Sequence, residues 1–344
     1  MAELMIGTSA YPSADRELLR EAGIEWLRQS FPFPFRDHVG GELTDDYVER
    51  RARVEELTGD GFRILGVTPR PGIATRERDE QGRLEWRRWN PGMPEWCGEL
   101  GTPEFARTYR RTCEWLADDV AGLVPVWQVA NELDISPFAW NMNPRQSCDL
   151  IAAGARGLKE TDDSLTVGFN LTAGRGKTYY FFGYFYGRQD GLLDYCGLDG
   201  YYGTWQSGGP ESWAERIDEV YALTGTPLLI NEWGFSSAGG VTTEEEAEEG
   251  LSTCQTHKWR NTWGPGHNPD GQAAFVRQTF DVFAERRDKL LGLFFYRWED
   301  QDECWQCGDP DCPAETAWGL VDREGAPKPA YHAFKDGTAR LTAN

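Results

Sequence analysis

Val129-Ala130-Asn131-Glu132 and, one hundred positions later, Leu229-Ile230-Asn231-Glu232-Trp233-Gly234 each run out of apolar, β-branched residues into an Asn-Glu pair. Glutamate is poorly suited to a strand and costly to desolvate, so a carboxylate ending such a run needs a chemical reason. Two of them in matching settings point to paired acid/base chemistry. Working outward, further strand-like runs lie at Leu4–Gly7, Trp26–Ser30, Arg63–Val67, Thr166–Asn170, Gly197–Tyr201 and Gly292–Tyr296, which with Pro125–Ala130 and Leu228–Asn231 make eight. Amphipathic stretches alternate with them, at Asp15–Ala22, Tyr47–Thr58, Glu104–Ala117, Ser147–Lys159, Glu211–Leu223 and Gln272–Arg287, several opened by Ser, Thr or Asp caps.

Eight βα units in 344 residues predict an α/β chain folded as a closed (β/α)8 TIM barrel, with its site at the C-terminal ends of the strands. No Pro/Gly/Ser linker divides the chain and no internal repeat appears, so residues 1–344 read as a single catalytic domain. Three long segments, Pro69–Gly101 with Trp86, Trp89 and Trp96, then Ser236–Pro269 and Glu299–Thr316, read as irregular loops crowding the catalytic face.

The formal charge of −21 argues against nucleic acid or an anionic membrane surface as partner, because both are held by positive patches. Positive charge is almost all arginine, a balance shared by proteins of salt-loving microbes and by products of GC-rich genomes. No run approaches the roughly 20 apolar residues that span a bilayer; Leu290–Tyr296 ends at Arg297. The opening residues enter strand-like sequence directly, without a basic then apolar secretion signal, and a cytoplasmic protein is expected.

With both glutamates after strands four and seven, the chain resembles the clan A glycoside hydrolases, TIM-barrel retaining β-glycosidases. The likeness extends from Ile6-Gly7-Thr8 to the tail Trp318-Gly319-Leu320-Val321-Asp322 through Tyr331. The resemblance implies a carbohydrate substrate and no catalytic cofactor, with Glu132 as general acid/base and Asn131 holding the sugar 2-hydroxyl. It also implies that Glu232, in a Glu-Trp-Gly setting with Trp233, is the nucleophile and that Arg28 lies beneath it. Trp298 matches the aromatic platform under the reacting sugar, and Tyr201 or Tyr202 would hydrogen-bond the nucleophile. The chain departs from common patterns at Leu133, where many relatives carry proline, and at Asp199-Gly200-Tyr201-Tyr202, where the cellulase branch has His-x-Tyr. A transglycosylase and a non-catalytic carbohydrate-binding barrel are the competing readings. Hydrolysis with retention predicts carboxylates about 5 to 5.5 Å apart.

Of the 8 cysteines, Cys254 with His257 and Cys304 with Cys307 and Cys312 fall in the loops after strands seven and eight. Loops adjacent on a barrel can bring four such ligands around a structural zinc. Disulfides and free thiols fit the same spacing. Cys97, Cys113, Cys148 and Cys196 read as scattered core or loop thiols, and the run Glu244–Glu249 reads as a solvated helix start.

Overall fold

The computed structural model describes residues 3–174, 176–187 and 191–342. Eight parallel strands, β1 (Met5–Thr8), β2 (Trp26–Ser30), β3 (Arg63–Val67), β4 (Val126–Gln128), β5 (Thr166–Thr172), β6 (Tyr195–Gly200), β7 (Leu228–Trp233) and β8 (Leu290–Phe295), close into a barrel. Each pairs with its neighbours in sequence, and β1 closes on β8 through the register Met5↔Gly292 to Thr8↔Phe295. The eight-stranded barrel expected from the sequence is the one found.

A helix follows each strand: α1 (Arg16–Glu21), α2 (Asp45–Gly59), α3 (Pro103–Asp119), α4 (Pro144–Thr161), α5 (Gly176–Tyr186), α6 (Glu211–Thr224), α7 (Pro269–Glu285) and α8 (Pro329–Thr342). Their starts are set locally. The side chains of Asp15, Thr44, Thr102, Asn143 and Asn268 accept backbone N–H groups that the first turn leaves unpaired. Among the described residues no helix is long and apolar enough to cross a membrane.

The period-2 alternation of strands explains how the barrel positions a site. Trp26, Leu65, Val126, Tyr195, Leu229 and Phe294 point inward and pack together as an apolar floor. Two positions further along their strands, Trp26 gives way to Arg28, Val126 to Gln128 and Leu229 to Asn231, all buried. Asn170 on β5 and Asp199 on β6 complete this polar layer. Gly197 keeps room for it: a Cβ there would stand 2.2 Å from the Phe169 carbonyl oxygen and 2.5 Å from Asn231 Oδ1.

The expected irregular loops have more structure than the sequence reading gave them. Pro69–Gly101 forms an antiparallel hairpin, Gly72–Arg78 against Leu84–Pro91. It turns where Asp79 accepts the N–H groups of Gln81 and Arg83 at 2.9 and 2.7 Å, and where Gly82 takes φ +79°. The segment after β7 carries a short strand pair, Gly240–Val241 with Lys258–Trp259. It also carries the exposed helix Glu244–Glu248, capped by Thr243.

Candidate active site

Above the polar layer opens a cleft of ≈ 1180 Å³, lined by Glu132, Glu232, Arg28, Asn131, Tyr201 and Tyr296 and walled by the hairpin and the loop after β8. Glu232 ends β7, 8% exposed, with both carboxylate oxygens occupied. Arg28 Nη1 donates to Oε1 at 2.6 Å, and the Tyr201 hydroxyl donates to Oε2. Arg28 is itself held on its other donors, Nε to Gln128 Oε1 at 2.9 Å and Nη2 to Asn131 Oδ1 at 2.7 Å. Such a charge-assisted set fixes both partners far better than a single exposed ion pair.

Glu132 has a different environment. It follows β4 on a backbone that leaves the extended conformation abruptly, with Ala130 at φ 56° and Glu132 at φ 43°. Non-glycine residues rarely adopt these angles, and each costs of order 1–3 kcal/mol unless its surroundings impose it. Here they do: Ala130 N–H donates to Thr68 Oγ1 at 2.8 Å and Glu132 N–H to Asn170 Oδ1 at 3.0 Å. The resulting twist turns the Glu132 side chain over the barrel mouth, where Asn131 Nδ2 approaches its Oε2 at 3.5 Å. Among the described residues no cation is within ion-pair distance of Glu132. Burial first, then the charges of Glu232 and Asp134, push its pKa well above the ordinary carboxyl range.

Asp199, Asn170 and Gln128 are site residues that the sequence reading missed. Gln128 Nε2 donates to the Ala130 carbonyl oxygen at 2.7 Å and to Asn170 Oδ1 at 2.8 Å, and its Oε1 accepts from Asn231 at 2.9 Å. Asn170 Nδ2 donates to Asn131 Oδ1 at 2.9 Å and to Asp199 Oδ2. Burial, followed by Glu232 and Glu132, raises the Asp199 pKa, so this third carboxyl favours its neutral form. The available signal was polar residues at every second position of otherwise apolar strands.

Tyr201, of the two tyrosine candidates, faces the site. Its neighbour Tyr202 turns outward and packs edge-on against Trp213, with ring centres 5.3 Å apart. Two expected sugar-binding tryptophans are placed elsewhere. Trp233 is fully buried on the outer face of β7 among Phe280, Phe283, Phe295 and Phe334, because a β-bulge after Ile230 breaks the alternation, so that Asn231 and Glu232 both face inward. Trp298 is 2% exposed and meets Tyr331 edge-on in the core. The aromatic residues that do line the cleft are Tyr11, Trp86, Phe138, Tyr201, Trp205, Tyr296 and Trp305, with Trp86 and Trp305 stacked 6.1 Å apart and Arg76 over Trp86 at 4.2 Å. Trp89 instead stacks on Trp140, and Trp96 packs on Phe33.

Cys254, Cys304, Cys307 and Cys312 converge behind the cleft wall, their Sγ atoms all within 4.8 Å of one another. This set could hold a metal ion: tetrahedral coordination at ~2.3 Å per Zn–S bond needs sulfurs about 3.8 Å apart, and four thiolates close a structural site. His257 does not join it. His257 ends the Thr253–Thr256 turn at φ 53°, and its Nε2 lies 3.5 Å from Asp309 Oδ2. Cys97, Cys113, Cys148 and Cys196 are buried apart from the cluster. The cluster adjoins the cleft through Gln306, whose Nε2 donates to Glu315 Oε1 at 2.7 Å, while the Tyr296 hydroxyl donates to Glu315 Oε2 at 3.0 Å. Burial raises the Glu315 pKa to about 7.

No protein-family model and no curated protein matches the chain. Solved structures share its fold. A glucosidase from Croceicoccus marinus aligns at a TM-score of 0.63 and 18% identity, over 99% of this chain and 68% of that one. The exo-β-1,4-mannosidase Op5Man5 from Opitutaceae bacterium strain TAV5 aligns at 0.64 and 14%, over 99% of this chain and 60% of that one. A GH5 protein from Streptomyces cattleya, solved in complex with Manβ1-4GlcNAc, aligns at 0.66 and 14%, over 98% and 81%. The eight-stranded barrel is thus a fold shared with solved glycosidases, and the chain spans about two thirds or less of the first two neighbours.

Proposed function

We propose that this chain is a glycoside hydrolase that cleaves a β-glycosidic bond by double displacement. Glu232 attacks the anomeric carbon, the C–O bond to the leaving group breaks, and Glu132 gives its proton to the departing oxygen. Glu132, now a carboxylate, then takes a proton from water as that water attacks the sugar carbon, releasing Glu232. The observation that carries this reading is the asymmetry between the two glutamates. Glu232 is gripped by Arg28 at 2.6 Å, whereas Glu132 has no cation within ion-pair distance among the described residues and a raised pKa. A nucleophile must be ionised and a general acid protonated; the ion pair of Arg28 with Glu232 and the burial of Glu132 suit these two roles. Asn131, held by Arg28 and Asn170, presents its Nδ2 beside Glu132 and suits a sugar 2-hydroxyl.

Glu232→Gln tests the assignment: turnover of aryl β-glycosides is expected to fall at least about 10⁴-fold, since removing a catalytic nucleophile leaves only binding and electrostatics. Activity within tenfold of the parent would exclude it. Product analysis with an added sugar acceptor separates hydrolysis from transglycosylation. Oligosaccharide binding without turnover across a broad panel would favour a non-catalytic barrel, a role for which the Arg28–Glu232–Tyr201 assembly offers nothing.

No cofactor enters this chemistry. For the four-cysteine cluster we propose structural zinc, bound by Cys254, Cys304, Cys307 and Cys312 as thiolates. It would tie the loop after β7 to the loop after β8, two segments otherwise joined by few regular elements.

A further inference from the structure

We propose that Arg70 forms an anion subsite and that the sugar unit cleaved by this enzyme is negatively charged, through a ring carboxylate or a sulfate. This rests on the glycosidase reading and names its substrate class. Arg70 stands on a stiff platform. It lies between Pro69 and Pro71, whose rings fix the local backbone. The Pro69 carbonyl oxygen accepts from the Tyr109 hydroxyl at 3.0 Å, and that of Pro71 accepts from Gly92 N–H at 2.8 Å. Gly92 permits this closeness, since a Cβ there would lie 2.3 Å from the Arg70 carbonyl oxygen.

The side chain on that platform is unmatched. Arg70 lines the catalytic cleft, remains accessible within it, and among the described residues has no hydrogen-bond or ion-pair partner for its guanidinium. Its neighbours do not neutralise it. Both oxygens of Glu232 are taken by Arg28 and Tyr201, and Arg28 adds a like charge. Enclosure by the walls, followed by that charge, disfavours the protonated form of Arg70. Arg297, after β8, lies over the rings of Tyr11 and Tyr296 at 5.1 and 5.4 Å. Arg297 differs in its surroundings: burial opposes its charge, but Tyr296, Tyr11, Glu315 and Glu299 together raise its pKa, so Arg70 carries the proposal.

An arginine without a carboxylate partner in the catalytic cleft is unexpected in a chain of net charge −21, where carboxylates outnumber cations 56 to 35. Standing beside the like charge of Arg28, that guanidinium gains from an anionic partner. A neutral sugar would offer only hydroxyls, whereas a carboxylate or sulfate presents coplanar or clustered oxygens that match the guanidinium fork. The position also fits: Arg70 is electrostatically coupled to Glu232 and Tyr296, which border the reacting ring in the proposed mechanism.

The test compares aryl glycosides that differ only at C6: β-glucoside with β-glucuronide, β-galactoside with β-galacturonide, and the 6-sulfated counterparts. The wild-type enzyme is expected to favour the anionic member of at least one pair by about tenfold or more in kcat/KM. In Arg70→Gln that preference should fall by about 10- to 100-fold, the range expected for losing a hydrogen bond to a charged group. Whichever anionic series is turned over identifies carboxylate or sulfate as the ligand. A preference for the neutral member in every pair, or an Arg70→Gln loss equal on both members, overturns the subsite and leaves the glycosidase reading standing. Calorimetric binding of free glucuronate and galacturonate against glucose and galactose gives a readout without turnover. Glu232→Gln, dead on every substrate if the glycosidase reading holds, should still bind uronate more tightly than neutral sugar, and equal affinities overturn the proposal.

Discussion

Arg28 joins the two halves of the site: its Nη1 donates to Glu232 Oε1 at 2.6 Å while its Nη2 donates to Asn131 Oδ1 at 2.7 Å, next to Glu132. One guanidinium on β2 therefore fixes the carboxylate ending β7 and the residue that precedes the carboxylate after β4. Arg28→Met would leave Glu232 buried with Tyr201 alone. Breaking a buried pair in this way costs about 3–5 kcal/mol, so a lower unfolding free energy in urea is expected, together with a kcat reduced at least about 100-fold. A variant that keeps both its stability and its kcat would mean that the pair organises nothing.

The raised pKa of Glu132 gives activity a predictable pH dependence. As general acid it works protonated, so kcat/KM on alkyl glycosides should fall as pH rises through that raised pKa. Glu132→Ala should lose this basic limb and should spare kcat/KM, though not kcat, on dinitrophenyl glycosides, whose leaving group needs no proton. An unchanged basic limb in the variant would assign it to another group.

Glu315 offers a stability test by the same linkage. Its folded pKa, about 7, exceeds its ordinary value of 4.5, so the folded protein binds that proton more tightly. The resulting stabilisation is fully present below pH 4.5 and is lost as pH rises through about 7. Glu315→Gln, a mimic of the protonated form, should flatten the decline in urea stability between these limits. A parallel decline in both proteins would place the titration elsewhere.

Metal analysis of protein purified without added metal should find about one zinc per chain, and Cys304→Ser should reduce it while lowering the melting temperature. His257→Ala should leave the zinc content unchanged. Metal-free protein of undiminished stability would refute the four-thiol site.

The tryptophans separate by role. Trp305→Ala should raise KM severalfold with little change in stability, because its ring lines the cleft. Trp233→Ala should cost about 3–5 kcal/mol of stability, because it empties a buried site. The reverse pattern would restore Trp233 as a sugar contact.

These contrasts also show what the sequence made legible. Strand positions were readable because β-branched runs alternate with capped helices, and β2 and β3 fall on the expected residues, Trp26–Ser30 and Arg63–Val67. The glutamates and Arg28 were readable because charge inside such runs is costly and therefore conspicuous. Facing was harder: the sequence places Tyr201, Tyr202, Trp233 and Trp298 near strand ends, but only the closed barrel decides which turn inward. Gln128, Asn170 and Asp199 escaped notice because each is an ordinary polar residue by itself. Their meaning comes from sharing one layer with Arg28 and Asn231. The convergence of Cys254 with Cys304, Cys307 and Cys312 follows the adjacency of β7 and β8, but the exclusion of His257 depended on a left-handed backbone that no spacing reveals.

The most direct measurement of the central claim is intact-mass and peptide-level mass spectrometry of Glu132→Ala mixed with a dinitrophenyl glycoside. Without Glu132 the first step can still proceed, because the leaving group needs no acid, while hydrolysis of the intermediate slows for want of a base. The account predicts a glycosyl adduct that accumulates on the peptide containing Glu232. An adduct on another carboxylate, or release of inverted sugar with no adduct at any time, would contradict it.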